Sequence, residues 1–274
     1  SSLLLALDDE KSSKYRNECL KNGKEIDYTK INGLSQETLF SYFYEKIQLN
    51  RKDKGWEFQY SEKDFIGNKL EFDLINSVNG KVYAKKGEKF NALVSKGLKS
   101  DSVKKLYIDN ENLIGSFLSN DMFDKKTGII YFESGDEITE NTFKYMEEKD
   151  IKTLEILKIN SNSLGSYIRD TFNADKNKNR NDAVTEIYKI LRPGEPPTLE
   201  AADKLFKSLF FDRERYDLSL VGRLKLNTRL KLDADSEKRV LENNDLIQIV
   251  KYLAGLKDGF GQIDDIDHLG NRRV

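Results

Sequence analysis

Apolar residues recur at helical spacing toward both ends of the chain and at every second position through much of its middle. Val184, Ile187, Tyr188 and Leu191 follow i, i+3, i+4, i+7, and Ala202, Leu205, Phe206, Leu209 and Phe210 resume the same period after a break. The break is Leu191-Arg-Pro-Gly-Glu-Pro-Pro-Thr198, which holds all three prolines of the chain, Pro193, Pro196 and Pro197. Proline lacks an N–H and fixes φ, so this octapeptide must end one helix and redirect the chain. Thr198 is placed to cap the helix that follows. Leu218–Leu230 reads as a basic helix after the turn Arg213-Glu-Arg-Tyr-Asp217. Leu246, Ile249, Val250, Leu253 and Leu256 predict a last helix, capped by Asn243 or Asn244 and stopped near Gly259.

Upstream, Leu3–Leu7 reads as the end of a buried helix, and residues 8–34 as a charged stretch with a weak helical pattern around Tyr15, Cys19 and Leu20. Ser35 is an N-cap signal for a helix over Gln36–Lys46, whose stripe is Leu39, Phe40, Phe43 and Ile47. The period then changes. Trp56, Phe58 and Tyr60 alternate with polar residues, as do Leu70, Phe72 and Leu74, and both runs predict half-buried strands. After the polar stretch 160–163, Leu164–Phe172 predicts a short helix with Tyr167, Ile168 and Phe172 inward.

An internal repeat at an offset of 48 residues runs through the middle. Gly80 matches Gly128, Tyr83 Tyr131, Gly87 Gly135, Leu98 Met146, Leu106 Leu154 and Ile108 Ile156. Each copy reads as strand, glycine turn, helix, strand, with Leu93, Val94 and Leu98 facing inward in the first helix and Phe143 and Met146 in the second, which Thr139 caps. Two such copies would share one core, since neither has enough surface to bury its own. The fold class expected is α+β.

Composition changes this picture little. The chain has 274 residues, 38% of them hydrophobic, enough for one large or two ordinary domains. Its net charge of −1 neither demands nor excludes nucleic acid, so a basic face must be local. From Lys204 to Lys231 eight basic residues stand against three acidic ones, whereas residues 46–155 carry nineteen basic and twenty acidic. One cysteine, Cys19, excludes an internal disulfide, and one histidine, His268, excludes a Cys/His zinc site. A reducing cytoplasm fits, and nothing reads as a signal peptide or membrane span.

No phosphate loop, nucleophile elbow or HExxH motif is present, so no catalytic residue is assigned. Asp264-Asp-Ile-Asp-His268 offers two readings, a divalent-metal site suited to a nuclease or an acidic face partnered by nearby arginines. Arg192 and Arg215 likewise stand open between phosphate binding and surface ion pairs with Glu195 and Asp217.

The run from Arg192 to Asn227, RPGEPPTLEAADKLFKSLFFDRERYDLSLVGRLKLN, resembles the β subunit of bacterial DNA-directed RNA polymerase, and so does IDDIDHLGNRRV from Ile263 to Val274. The likeness is tight over residues 180–274 and looser over 46–172. It implies a mostly helical lobe at 1–46 and 159–274, interrupted at 47–158 by a lineage-specific α+β insertion outside the DNA channel. Most members carry a shorter connection at 8–34, so no role is transferred there. The resemblance further implies a transcription enzyme whose magnesium is held by another subunit, leaving this stretch inactive alone and without a cofactor or metal. Arg192 and Arg215 would face separated DNA strands, and Asp267 with Arg272 would receive an unpaired guanine. Implied partners are DNA, the β′, α and ω subunits and sigma factor, with a possible regulator on the insertion. Two other classes stand beside this one: a stand-alone protein-interaction module, and a metal-dependent nuclease built on the DDIDH cluster.

Overall fold

In chain order the first helices are α1 (Ser2–Leu5), α2 (Glu10–Lys21) and α3 (Gln36–Phe43), seen in a computed structural model that describes residues 1–124, 127–159, 164–265 and 267–268. The expected polar stretch 160–163, and Arg272 with Arg273, lie outside the described residues. Two compact units form: Ser1–Leu39 with the chain from Tyr167 onward, and Phe40–Ser166.

Ser35 caps α3 as its sequence suggests, accepting from the Thr38 N–H at 3.2 Å. The helix stops at Phe43, three residues earlier than the stripe predicts, because Lys46 and Ile47 already belong to a strand. That strand, β1 (Glu45–Lys52), pairs with β2 (Gly55–Gln59) through a tight turn in which Asp53 takes a left-handed φ of 50°. The chain continues through β3 (Leu74–Asn76), β4 (Val82–Ala84), α4 (Ala92–Ser100), β5 (Lys105–Asp109) and α5 (Asn110–Leu113). Then come β6 (Phe117–Leu118), β7 (Met122–Phe123), β8 (Ile130–Phe132), α6 (Glu140–Glu148) and β9 (Thr153–Lys158).

Seven strands make an antiparallel sheet in the order β4-β3-β5-β2-β1-β9-β6, and β7 and β8 pair separately. Side chains alternate across a strand, so one face carries Leu49, Phe58, Leu106, Ile108, Leu154 and Ile156, all buried. Leu98 of α4 and Phe143 and Met146 of α6 complete that core. Gln48, Asn50, Glu57, Gln59, Lys105 and Glu155 face the other way and are not buried. Two expectations fail here. Leu70 and Phe72 lie outside any strand, although Leu70 is buried, and Leu93 is 77% exposed, which leaves Val94 and Leu98 as the inner stripe of α4.

Positions 48 residues apart adopt the same backbone. The helices α4 and α6 start and end at that offset, as do β4 and β8. Gly87 and Gly135 take φ values of 87° and 89°, which a side chain would strain, and their N–H groups donate to Leu70 and Leu118 at 2.7 and 2.8 Å. The copies differ at the sheet edge: β3 joins the main sheet beside β5, whereas β9 is flanked by β6.

The helical unit resumes with α7 (Tyr167–Ala174), α8 (Arg180–Leu191), α9 (Leu199–Phe210), α10 (Ser219–Leu230) and α11 (Asn243–Lys257). Its core gathers Leu4, Leu5 and Leu7 with Val184, Tyr188 and Phe206, all buried. Thr198 caps α9 by accepting from the Ala201 N–H at 3.2 Å. The cap of α11 is Glu242, not Asn243 or Asn244, because Glu242 and Asp245 bond each other's backbone N–H in a reciprocal box. Asn243 is used instead to tether the start of the chain, donating to the Asp8 carbonyl at 3.0 Å. Leu253, expected inward, is 58% exposed; α11 buries Leu246, Ile247 and Gly255. Among the described residues no helix is long and apolar enough to cross a membrane.

Candidate functional site

The proline corner is closed by Glu195. Its carboxylate accepts from the Tyr188 hydroxyl at 2.7 Å and pairs with Arg192 at 3.3 Å, and Gly194 supplies the positive φ of 92° that brings it round. These donors hold the Glu195 carboxyl below its ordinary range. The Arg213–Asp217 turn is tied differently. Asp212 accepts from the backbone N–H groups of Glu214, Arg215 and Tyr216, so the turn depends on Asp212 rather than on its arginines. Asp217 pairs with Arg239, not with Arg215. The ion-pair reading of these two arginines therefore holds for Arg192 and fails for Arg215, which is exposed and makes no ion pair among the described residues.

Both arginines line one cavity of about 1140 Å³ in the helical unit, together with Arg16 of α2 and Lys204 and Lys207 of α9. Its floor is a charge network that no sequence motif announced. Asp8 and Asp203, 2% and 1% exposed, are shared by Arg16, Arg180 and Lys207. Arg16 donates to Asp203 at 2.8 and 3.0 Å and to Asp8 at 3.1 Å. Arg180 donates to Asp8 at 2.8 Å and also bonds Asp203, while the Lys207 ammonium lies 2.8 Å from Asp8. Three cations against two carboxylates in a desolvated place bind the start of the chain to α2, α8 and α9. A signal was present: Asp203 sits inside the Ala202–Phe206 stripe, and a carboxylate on an apolar face needs a buried partner.

Burial alone would raise the Asp8 carboxyl, but Lys207, Arg180 and Arg16 overrule it and hold it below the ordinary range. Burial pushes Lys207 below the usual lysine range, with Asp8 opposing. A carboxyl depressed in the folded state contributes stability that is complete above its unfolded pKa of about 4 and is lost as pH falls through the folded value. Melting temperature of the helical unit, followed by circular dichroism, should therefore drop below about pH 5, and Asp8→Asn should flatten that slope. Equal slopes in both proteins would put the acid sensitivity elsewhere.

Of the eight basic residues between Lys204 and Lys231, at least four pair with carboxylates of the chain itself. Arg223 is fully buried against Asp245 at 2.8 Å and donates to the Lys238 carbonyl. Lys204 pairs with Glu200, Lys207 with Asp8 and Arg229 with Asp264. Arg213, Arg215 and Lys231 are exposed without an ion pair among the described residues.

The DDIDH carboxylates are sent to different partners. Asp264 meets Arg229 at 2.6 Å, and Asp265 accepts the Asp267 N–H at 3.0 Å. Among the described residues no three His, Cys, Asp or Glu side chains are gathered to hold a metal. Asp267 is exposed, and its expected companion Arg272 is outside the described residues, so no distance joins them.

Comparison with known proteins places this geometry in context. A DNA-directed RNA polymerase subunit beta from Caulobacter sp. (strain K31) is 43% identical over 246 residues, covering 88% of this chain and 18% of that protein. The namesake from Rhizobium leguminosarum bv. trifolii is 40% identical over 88% of this chain and 18% of its own length. That of Gluconobacter oxydans is 39% identical over all 274 residues, 20% of its length. The chain thus spans about a fifth of the curated relatives it matches. Half of it, residues 137–274, including the proline corner, the basic helix and the DDIDH segment, matches the family model described as RNA polymerase Rpb2, domain 2, and the chain belongs to that family.

Proposed function

We propose that the chain is a portion of the β subunit of bacterial DNA-directed RNA polymerase and acts in transcription as a lobe that lines the DNA cleft. The observation that carries this reading is Arg215, without an ion pair among the described residues, on the same cavity wall as Arg192, Lys204 and Arg16, in a member of the Rpb2 domain 2 family. Guanidinium groups on a concave surface clamp phosphate oxygens, and such contacts position a strand without reading its sequence. Arg192 can leave Glu195 for phosphate at little cost, since exposed ion pairs contribute only about 0–1 kcal/mol.

On this reading the chain touches DNA through Arg192, Arg215, Asp267 and Arg272 and contributes no catalytic residue. Magnesium belongs to another subunit, the chain alone turns over no nucleotide, and assembly involves β′, α, ω and sigma factor in the cytoplasm. The lobe is 1–46 with 159–274, and 47–158 is an insertion built from a duplicated β-turn-α-β unit. The matched helix ends and matched glycine φ values support the duplication. The near balance of charge over 46–155 supports a structural or protein-docking role for it, away from DNA.

Single-stranded DNA binding by the chain, measured by fluorescence anisotropy over a salt series, tests the reading. Arg215→Ala should weaken binding of all sequences alike and lower the salt slope by about 0.7. An unchanged slope removes Arg215 from the interface.

A further inference from the structure

We propose that the sheet unit holds a binding site for one small, ring-sized apolar molecule carrying a neutral hydrogen-bonding head. The site is a cavity of about 150 Å³ on the apolar face of the sheet. It is independent of the DNA-contact reading.

Its walls come in equivalent pairs. Phe65 and Leu113 lie 48 positions apart, as do Asn68 and Ser116, and Ile108 and Ile156. Leu49 and Phe58, also in the wall, are direct cross-strand partners, and they face Leu154 and Leu106, which are themselves 48 apart. The cavity therefore lies where the two halves of the unit meet on a local two-fold axis running between Leu49 and Phe58. Each half supplies one wall. The wall residues Leu49, Phe58, Leu70, Ile108, Leu113 and Ile156 are at most 7% exposed.

The chemistry of the lining selects the ligand. A volume of about 150 Å³ is the size that holds a benzene ring. Polar groups stand among the lining residues: Asn68, Asn112 and Ser116 offer neutral donors and acceptors. Charge is matched there. Lys158 is held by Asp64 at 2.6 Å and Glu45 at 2.7 Å. A ligand with a full charge would have to break these pairs, whereas a hydroxyl or ring N–H would not.

The test uses the full 274-residue chain with benzene, phenol and indole as probes, followed by methyl NMR of the wall leucines and isoleucines. Phenol should bind saturably and about three- to tenfold more tightly than benzene, the worth of one added hydrogen bond. Ser116→Phe, which places a ring of the chain's own in the cavity, should abolish phenol binding and raise the melting temperature. No saturable shift up to the solubility of the probes, or undiminished binding to a folded Ser116→Phe, would overturn the proposal. If that variant does not fold, Leu113→Ala decides: the enlarged cavity must move preference from phenol to indole, and unchanged selectivity refutes the site.

Discussion

Arg180→Met should lower the stability of the helical unit by about 3–5 kcal/mol, more than any exposed charge in the chain. Methionine keeps the aliphatic stem, so the loss isolates the guanidinium, which bonds Asp8 and Asp203 at once. Both carboxylates are almost fully buried and would keep only Arg16 and Lys207. Lys204→Ala, which breaks an exposed i,i+4 pair with Glu200, should cost under about 1 kcal/mol by comparison. The chain provides its own control. Its one tryptophan, Trp56, is 1% exposed in the sheet unit, so intrinsic tryptophan fluorescence reports that unit. Urea titration of Arg180→Met should shift the helical transition seen by circular dichroism and leave the Trp56 transition in place. A loss under about 1 kcal/mol would mean that solvent already reaches the network.

This network also shows where sequence legibility ends. Elements with a cap and a long stripe were readable: Thr198 with Ala202 and Phe206, Ser35 with Leu39 and Phe40, Thr139 with Phe143 and Met146. Elements failed where periods compete. Ile47 is four residues beyond Phe43 and so continues a helical stripe, yet its pairing with Ile156 across β1 and β9 wins, because a six-residue ladder outweighs one more turn of helix. Leu70 is buried by backbone bonds to the Gly87 turn rather than by a strand. Asn243 and Asn244 were the cap candidates, but the reciprocal bonds between Glu242 and Asp245 place the cap one residue earlier.

The site was legible in a different proportion. Arg192 and its partner Glu195 could be named from the corner, but the partner offered for Arg215 in the turn was wrong, since Asp217 chooses Arg239, 22 positions away. Counting charge from Lys204 to Lys231 overstated the surface field, because Arg223 and Lys207 are spent on buried carboxylates. Net charge in sequence is a sum over side chains; a ligand meets only those left facing outward.

Asp267→Ala, placed in the whole polymerase, should erase most of a preference for guanine over thymine at the downstream edge of the transcription bubble, by about 1–3 kcal/mol. On the proposed reading an unpaired guanine enters against this residue. A carboxylate accepts from guanine's N1–H and N2–H₂ together, a donor pair that no other base presents, and only an unstacked base exposes that edge. The segment suits the role in one respect: Asp267 is exposed, and its carboxylate has no cation partner among the described residues. Arg272 would hold the sugar-phosphate beside it, and Arg272→Ala should then lower binding of both bases. The competing possibility is that Asp267 and Arg272 pair only with each other. Open-complex lifetimes on templates with guanine or thymine at that position separate the two. A carboxylate that reads the base makes the guanine advantage shrink in Asp267→Ala while the thymine template changes little; an equal loss on both templates would reduce Asp267 to closing a turn.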